Sequence, residues 1–177
     1  MEGKKNVVFG FFYFVITAIT GLIMTTGGML GEVSQAKDTA VEKVTVLEQR
    51  LQTGGPDMAA AAGQAVAAVE DWLHAQDKVG EMAGAPHTHG NLEAMANIVV
   101  GLFLGMLAVP AALKQLISWL LIAAAVLHSG MLYLGVVFGM GWPWMIVNLN
   151  LGPIALLAGL LLSGVAAVMG YQPARDS

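Results

Sequence analysis

Two histidines, an amide and a carboxylate follow one another where a polar segment of this chain turns into an apolar one. They are His87, His89, Asn91 and Glu93, each separated from the next by one residue. Imidazole ligates metals and carries protons near neutral pH, and carboxylates are also common metal ligands. Because such groups are costly to place beside hydrocarbon, their position at the start of an apolar stretch predicts that they have a function there.

The spacing of His87 and His89 is the first candidate for metal binding. In an extended segment, residues two apart direct their side chains to the same side, and copper and zinc sites use imidazoles arranged in this way. The sequence therefore predicts a copper or zinc site with ligands among His87, His89, His74 and Glu93. Two plainer interpretations stay open, since the histidines can belong to a solvated loop while Asn91 and Glu93 cap the next helix.

His128 is a second candidate, in a different part of the chain. It is the only ionisable side chain, tyrosines aside, between Gln115 and Ala174. A histidine near the middle of an apolar helix is suited to ligate haem iron, and haem b is the cofactor predicted here. If the flanking helices turn around Lys114, His128 lies level with Gly101 and His89 lies about 18 Å further along. The two histidines are then expected to form separate sites.

Small residues recur at four-residue spacing in every apolar stretch. Such stripes let helices approach closely without any ligand. They also leave room for a flat macrocycle, in which case Met24 or Met106 would supply the second ligand to an iron at His128. The sequence leaves both interpretations open. The stripes contain Gly27 and Gly31, Gly101 and Gly105, Gly135 and Gly139, and Gly152 and Gly159.

The elements that position these residues are membrane-spanning helices. Hydrophobic residues make up 56% of the 177-residue chain and charged residues only 11%. Charges are absent over lengths that match the roughly 20 residues a spanning helix needs. A proline between two tryptophans separates the last two spans. The predicted spans are Asn6–Leu30, Glu93–Leu113, Leu116–Met140 and Met145–Gly170.

The predicted fold is an all-α, four-helix transmembrane bundle with an external helical hairpin. Residues 1–31 form the first membrane helix, residues 32–92 the hairpin with a loop, and residues 93–177 the other three helices with a short cytoplasmic tail. The first hairpin helix is expected over 33–51, and the second from Asp57, as its cap, to about Asp77. Gly80 to Gly90 is expected to be a loop. Because the hairpin is rich in alanine, we expect it to lie on the membrane or on a partner protein.

Lysine and arginine predict the orientation. Lys4, Lys5, Lys114 and Arg175 lie at the ends expected to face the cytoplasm, so both termini are predicted inside and residues 32–92 outside. Between Glu32 and Glu93 there are ten acidic and four basic residues, a net charge of −6. The predicted location is a bacterial inner membrane. The acidity and the lack of a basic patch argue against nucleic acid as a partner, and the absence of cysteine excludes thiolate chemistry.

The stretch from His87 to Ala94, which reads His-Thr-His-Gly-Asn-Leu-Glu-Ala, resembles the His-x-His-x-Asn-Leu pattern of small membrane proteins related to subunit I of the haem-copper oxidases. Gly21 to Met24 is similar to part of their first helix. The resemblance implies haem or metal ligation by His87 or His89. The chain departs from a full subunit because it has fewer spans and no adjacent pair of histidines for a copper centre. It is therefore not expected to reduce oxygen alone.

The leading functional hypothesis is a haem- or metal-binding membrane subunit that transfers electrons or serves a respiratory or oxidase-type complex. Its predicted partners are the lipid bilayer and other membrane subunits. The rival hypothesis is a structural subunit without a cofactor, which holds a larger complex together through its glycine-rich faces. A third is quinone binding near His89, Glu93 and the Trp142 to Trp144 segment.

Overall fold

The computed structural model describes residues 3–54 and 57–170, and the regular elements in this part of the chain are all helical. The all-α prediction is therefore confirmed. Two short π-helical turns, π1 and π2, interrupt the α-helices. The elements are α1 (Lys4–Thr26), α2 (Met29–Thr53), α3 (Met58–Met82), π1 (Ala83–His89), α4 (Gly90–Leu104), α5 (Ala111–Ala125), π2 (Val126–Gly130), α6 (Met131–Val136), α7 (Pro143–Val147) and α8 (Leu151–Gly170).

Three helical stretches among the described residues are long and apolar enough to cross a membrane. They are Lys4–Thr53, Ala111–Phe138 and Leu151–Gly170. The first combines α1 with α2, and the second runs from α5 through π2 and α6. The helix α4, at 15 residues, is not one of the three. The structure thus has three candidate spanning helices, where the sequence analysis predicted four spans.

The turn between α4 and α5 lies earlier in the chain than expected. The helix α4 ends at Leu104, and Pro110 immediately precedes α5 with an extended ψ of 139°. Because proline lacks an N–H and fixes φ, it is well suited to the start of a helix. Lys114 lies inside α5 and is buried, so the prediction that it occupies the turn is wrong.

The segment before α4 is also different from the prediction. Gly80 to Gly90 was expected to be a loop, but α3 runs to Met82 and π1 covers the next seven residues, Pro86 included. The hydroxyl of Thr88 donates a hydrogen bond of 2.7 Å to the carbonyl oxygen of Ala83, which satisfies one acceptor in this wide turn. The histidines therefore lie on a helix.

The chain forms two compact units. Among the described residues, one unit contains 3–21 together with 83–170, and the other contains 22–54 and 57–82. In the first unit, α4, α5 and α8 share an apolar core that includes Leu104, Ile117 and Leu121. Glycines allow the close contacts there. A Cβ on Gly152 would lie 2.5 Å from the Cβ of His128, and one on Gly159 would lie 2.9 Å from Leu121.

The second unit contains the predicted helical hairpin, α2 and α3. The helix α2 ends at Gly54, whose φ of +71° is one that glycine adopts without strain and whose N–H binds the carbonyl oxygen of Arg50. The buried residues of the pair are mostly alanines, which let the helices lie close together: Ala40, Ala61, Ala65, Ala68 and Met82. The helical spacing of larger apolar residues predicts one apolar side for each hairpin helix; Val44, Leu47 and Val69 are half-buried, whereas Val41, Leu51, Val66 and Leu73 are exposed.

Candidate site around Glu93

Glu93 is buried among the helices of the first unit, with 1% of its surface exposed. Its Oε1 lies 2.7 Å from Nδ1 of His128, and its Oε2 accepts a hydrogen bond from the Ser129 hydroxyl. The Tyr13 hydroxyl lies 2.8 Å from Oγ of Ser129 and donates to the carbonyl oxygen of Ala125 at 2.9 Å. Both carboxyl oxygens therefore have partners, as a buried carboxyl group requires.

Three of the four candidate histidines lie in the two π-helical turns. His87 and His89 are in π1, and His128 is in π2. A π-helical turn is rare, holds an additional residue, and occurs frequently at functional sites because it redirects the side chains around it. In π2 the consecutive residues His128 and Ser129 both reach Glu93. The turn thus gathers two polar groups on one carboxylate.

His89 and His128 lie side by side. Their ring centroids are 4.9 Å apart, with the ring planes inclined by 56°. The sequence predicts about 18 Å between them, and that prediction is wrong. Counted from the actual turn, His89 lies sixteen residues before Gly105 and His128 eighteen residues after Pro110, so antiparallel helices bring them level.

The two histidines differ in what holds them. Nδ1 of His128 is bound to Glu93, which leaves Nε2 as its free ring nitrogen, and the side chain is 18% exposed. His89 is exposed, and within the described part of the chain its ring has no hydrogen-bond partner. One imidazole of the pair is therefore oriented by a buried carboxylate, and the other is free to adjust.

His87 contacts α1. Its Nδ1 lies 3.2 Å from Oγ1 of Thr20 and 3.1 Å from the carbonyl oxygen of Thr17. Its ring packs on Gly21, where a Cβ would lie 2.9 Å from Cε1 of the histidine. Because the segment is helical rather than extended, His87 and His89 contact different helices. The geometry that was expected to direct both rings to one metal is absent.

The other predicted ligands are His74, Met24 and Met106. No group of three histidine, aspartate or glutamate side chains that could hold a metal occurs among the described residues. His74 is exposed on α3, and Met24 is buried; both belong to the unit that runs from Leu22 to Met82. Met106 follows the far end of α4, so the length of that helix, about 22 Å, separates it from His89.

A second polar layer lies about one helical turn from Glu93. The Nδ2 of Asn6 donates to Oδ1 of Asn97 at 2.8 Å and to the carbonyl oxygen of Ser118 at 3.0 Å. The Nδ2 of Asn97 donates to the carbonyl oxygens of Glu93 and Leu121. These side chains are buried and satisfied, so they tie α1, α4 and α5 together.

The predicted role of Asn91 and Glu93 as helix caps is not what the structure shows. The helix α4 follows π1 directly, and its N-terminus has no side-chain cap. The Oδ1 of Asn91 accepts a hydrogen bond of 2.7 Å from the Thr17 hydroxyl. Both side chains therefore bind other side chains of the first unit rather than backbone N–H groups at the start of α4.

The tryptophans of the predicted quinone region lie apart from these contacts. A Cβ on Gly135 would lie 3.0 Å from the Trp144 ring, so this tryptophan packs on α6. Trp142 is 52% exposed. In the described part of the chain, neither tryptophan forms a hydrogen bond with Glu93 or a ring contact with His89.

Haem does not fit between His89 and His128 as they stand. Two imidazoles on opposite faces of one iron, each bonded at about 2 Å, have ring centroids about 6 Å apart with a macrocycle between them. The observed centroid distance of 4.9 Å is too short, and the tilted rings touch each other directly. A small ion held at a bent angle is compatible with the same positions.

Several residues of the site were missed from the sequence, in particular Tyr13, Ser129, Asn6 and Ser118. Each is a polar residue inside or at the edge of a charge-free stretch. Polar groups in such stretches are expected to face other helices, and this signal was available. Their partners could not be inferred, because the π-helical turns shift the register that regular helices would give.

Comparisons with protein-family models, with curated proteins and with solved structures found no match to this chain.

Proposed function

We propose that this chain is an integral membrane protein that spans the bilayer four times and binds a redox-active group through His89 and His128. It would transfer electrons or serve as an accessory subunit of a respiratory or oxidase-type complex. The four spans are α1, α4 extended by π1, the stretch from α5 to α6, and α8. Together π1 and α4 cover Ala83–Leu104, which is about 33 Å of helix and long enough to span.

One observation carries the proposal, which is the contact of two imidazoles beside a buried carboxylate. Metal-ligating histidines almost always donate their second ring N–H to a carboxylate, a carbonyl oxygen or water. His128 has this arrangement with Glu93 at 2.7 Å. Burial of an ionisable carboxyl group between membrane helices is costly in free energy, and helix packing can be achieved without it. The contacts of Glu93 with Ser129, and of Ser129 with Tyr13, therefore favour a functional role.

The proposed orientation places the lysine-containing ends in the cytoplasm. The Nζ of Lys5 lies 2.6 Å from Oε1 of Gln115, so the start of α1 and the start of α5 are neighbours. Lys114 is at the same level of α5, and the N–H of Ala108 binds the carbonyl oxygen of Gly170 nearby. The positive residues therefore gather at one end, as the positive-inside rule expects of the cytoplasmic side. The histidine pair then lies toward the outer side.

The test is a spectrum of the purified protein in detergent, reduced minus oxidised, together with elemental analysis. A redox-active group is expected in the native protein and is expected to be lost in His128→Ala. The matched control is His74→Ala, which changes an exposed histidine on α3 in the other unit. A native protein with neither haem nor a stoichiometric redox metal would contradict the proposal.

The second candidate function is a structural subunit without a cofactor. It is favoured by the satisfied contacts of Asn6 and Asn97 and by the tight packing of Gly101, where a Cβ would lie 2.9 Å from Cβ of Asn6. On this hypothesis, a variant with alanine at His87, His89 and His128 still assembles with its partners. Native gels of membranes that contain this triple variant measure assembly, and optical spectra of the same membranes measure the cofactor. A structural subunit would assemble with an unchanged spectrum, whereas a cofactor-binding subunit would lose its spectrum.

A further inference from the structure

The pairing of His89 with His128 also restricts what kind of group can bind. Resting on the function proposed above, we infer that these two side chains hold a single transition-metal ion of the copper class, with coordination positions left open on the exposed side of His89. The two protein ligands are the imidazoles, and Glu93 orients one of them without touching the ion.

The distance between the rings fits one shared ion. A metal bonded to a ring nitrogen at about 2 Å lies about 3 Å from the ring centroid. Two imidazoles at a tetrahedral angle then have centroids about 5 Å apart, whereas a linear arrangement needs about 6 Å. The observed separation is 4.9 Å with the planes inclined by 56°.

The hydrogen bonds decide which nitrogen of His128 is available. Nδ1 lies 2.7 Å from Glu93, so Nε2 is the nitrogen left for an ion. The carboxylate fixes the tautomer and the orientation of the ring. The Ser129 hydroxyl holds the other carboxyl oxygen, which keeps Glu93 on His128. One of the two proposed ligands, His128, is therefore already oriented.

The small number of ligands favours copper over zinc. Zinc sites in proteins use three or four protein ligands, and no group of three candidate side chains exists among the described residues. Copper is bound most tightly of the divalent first-row metals by a given set of nitrogen ligands, and imidazole suits it. Two imidazoles can hold copper while water, a small donor molecule or a partner side chain fills the open positions.

The experiment uses the full chain in detergent, stripped with a chelator and then titrated separately with Cu²⁺ and Zn²⁺. One copper per chain is expected after desalting, with nitrogen hyperfine coupling in the electron paramagnetic resonance spectrum. His89→Ala should lose binding, and its fold should persist because His89 is exposed and has no hydrogen bond in the described part of the chain. Glu93→Gln should weaken binding by about 10–100-fold. His74→Ala should bind as the native chain does.

Each alternative result has a definite meaning. Haem in the native protein that disappears in His128→Ala would overturn the copper site but leave the proposed function standing. Neither haem nor copper would remove both proposals. Copper that binds equally well to His89→Ala would overturn the shared site, and zinc that binds as tightly as copper would overturn the assignment to copper. A melting curve of each variant shows whether loss of binding accompanies loss of fold.

Discussion

The two compact units of this chain place polar side chains on opposite sides of their helices. In the unit with the histidine pair, Asn6, Glu93 and Asn97 are buried between helices, while its exposed surface is rich in residues such as Phe12, Leu157 and Val168. In the hairpin of α2 and α3, alanines occupy the contact between helices and charged residues are exposed. One unit has its polar groups inside, and the other has them outside.

A difference of this kind is expected between helices packed in lipid and helices packed in water. Between helices in lipid there is no hydrophobic driving force, so polar contacts and close packing at glycine hold the helices together. In water the apolar surface is driven inward, and charged groups remain hydrated at the surface. A buried glutamate that binds a histidine thus fits the pattern of the unit that contains the histidine pair. In the hairpin, charged residues are exposed instead.

The largest effect is expected when the polar interior of the membrane unit is broken at Glu93. In Glu93→Ala, His128 and Ser129 lose their shared partner in a buried position, and unsatisfied buried groups cost about 2–3 kcal/mol of unfolding free energy. Unfolding in mixed micelles, followed by circular dichroism, measures the loss. Glu93→Gln keeps the shape and an acceptor oxygen, so it should retain most of the stability. Equal stability of Glu93→Ala and the native chain would contradict a structural role for this carboxyl group.

The next largest effect tests the glycine contacts of the same unit. A Cβ on Gly152 would lie 2.5 Å from the Cβ of His128 and 2.7 Å from its backbone nitrogen. Gly152→Ala must therefore push α8 away, at a cost of about 2 kcal/mol, and should also disturb the histidine pair. Gly164 on the same helix has no atom within 4 Å of such a Cβ. Gly164→Ala is the control, and a melting temperature lowered equally in both variants would contradict the argument.

The composition and periodicity of the sequence were sufficient to predict helices, apolar stretches and a hairpin. The four-residue spacing of His89, Glu93, Asn97, Gly101 and Gly105 also predicted that this face is turned toward other helices; Glu93, Asn97 and Gly101 are buried, whereas His89 and Gly105 at its two ends are exposed. These properties depend on local spacing, and a regular helix converts spacing into direction without reference to the rest of the fold.

The arrangement of the site was less accessible because it depends on where helices end. Placing the turn at Lys114 instead of before Pro110 moved His128 along its helix and separated it from His89. Pro110 was the signal that could have corrected the register. The π-helical turns had no such signal, since Pro86 and Gly84 suggested a loop. The pairing of Glu93 with His128 and Ser129 depends on both the position of the turn before Pro110 and the π-helical turn that contains His128.

A smaller effect is expected in the hairpin, where the contact is made by alanines. Ala65 is 3% exposed, and a larger side chain at this position forces α2 and α3 apart. Ala65→Leu should lower the unfolding free energy by about 1–2 kcal/mol because overpacking strains the contact. Ala67→Leu places the same side chain on an exposed position two residues away and should have little effect. If Ala65→Leu were as stable as Ala67→Leu, the alanine contact would not determine the hairpin packing.

The smallest effect is expected at the boundary of the membrane unit, where Lys5 lies 4.0 Å from the centre of the Trp119 ring and binds Gln115. Lysine over an exposed indole contributes about 0.5–1 kcal/mol, and solvent screening keeps the effect near the lower value. Lys5→Ala should therefore reduce stability by about 0.5 kcal/mol. Lys4→Ala removes the same charge from an exposed neighbour and serves as the control. If Lys5→Ala lost as much stability as Glu93→Ala, contacts at the boundary would stabilise this unit as strongly as its buried polar contacts. That result would contradict the comparison between the interior of the unit and its surface.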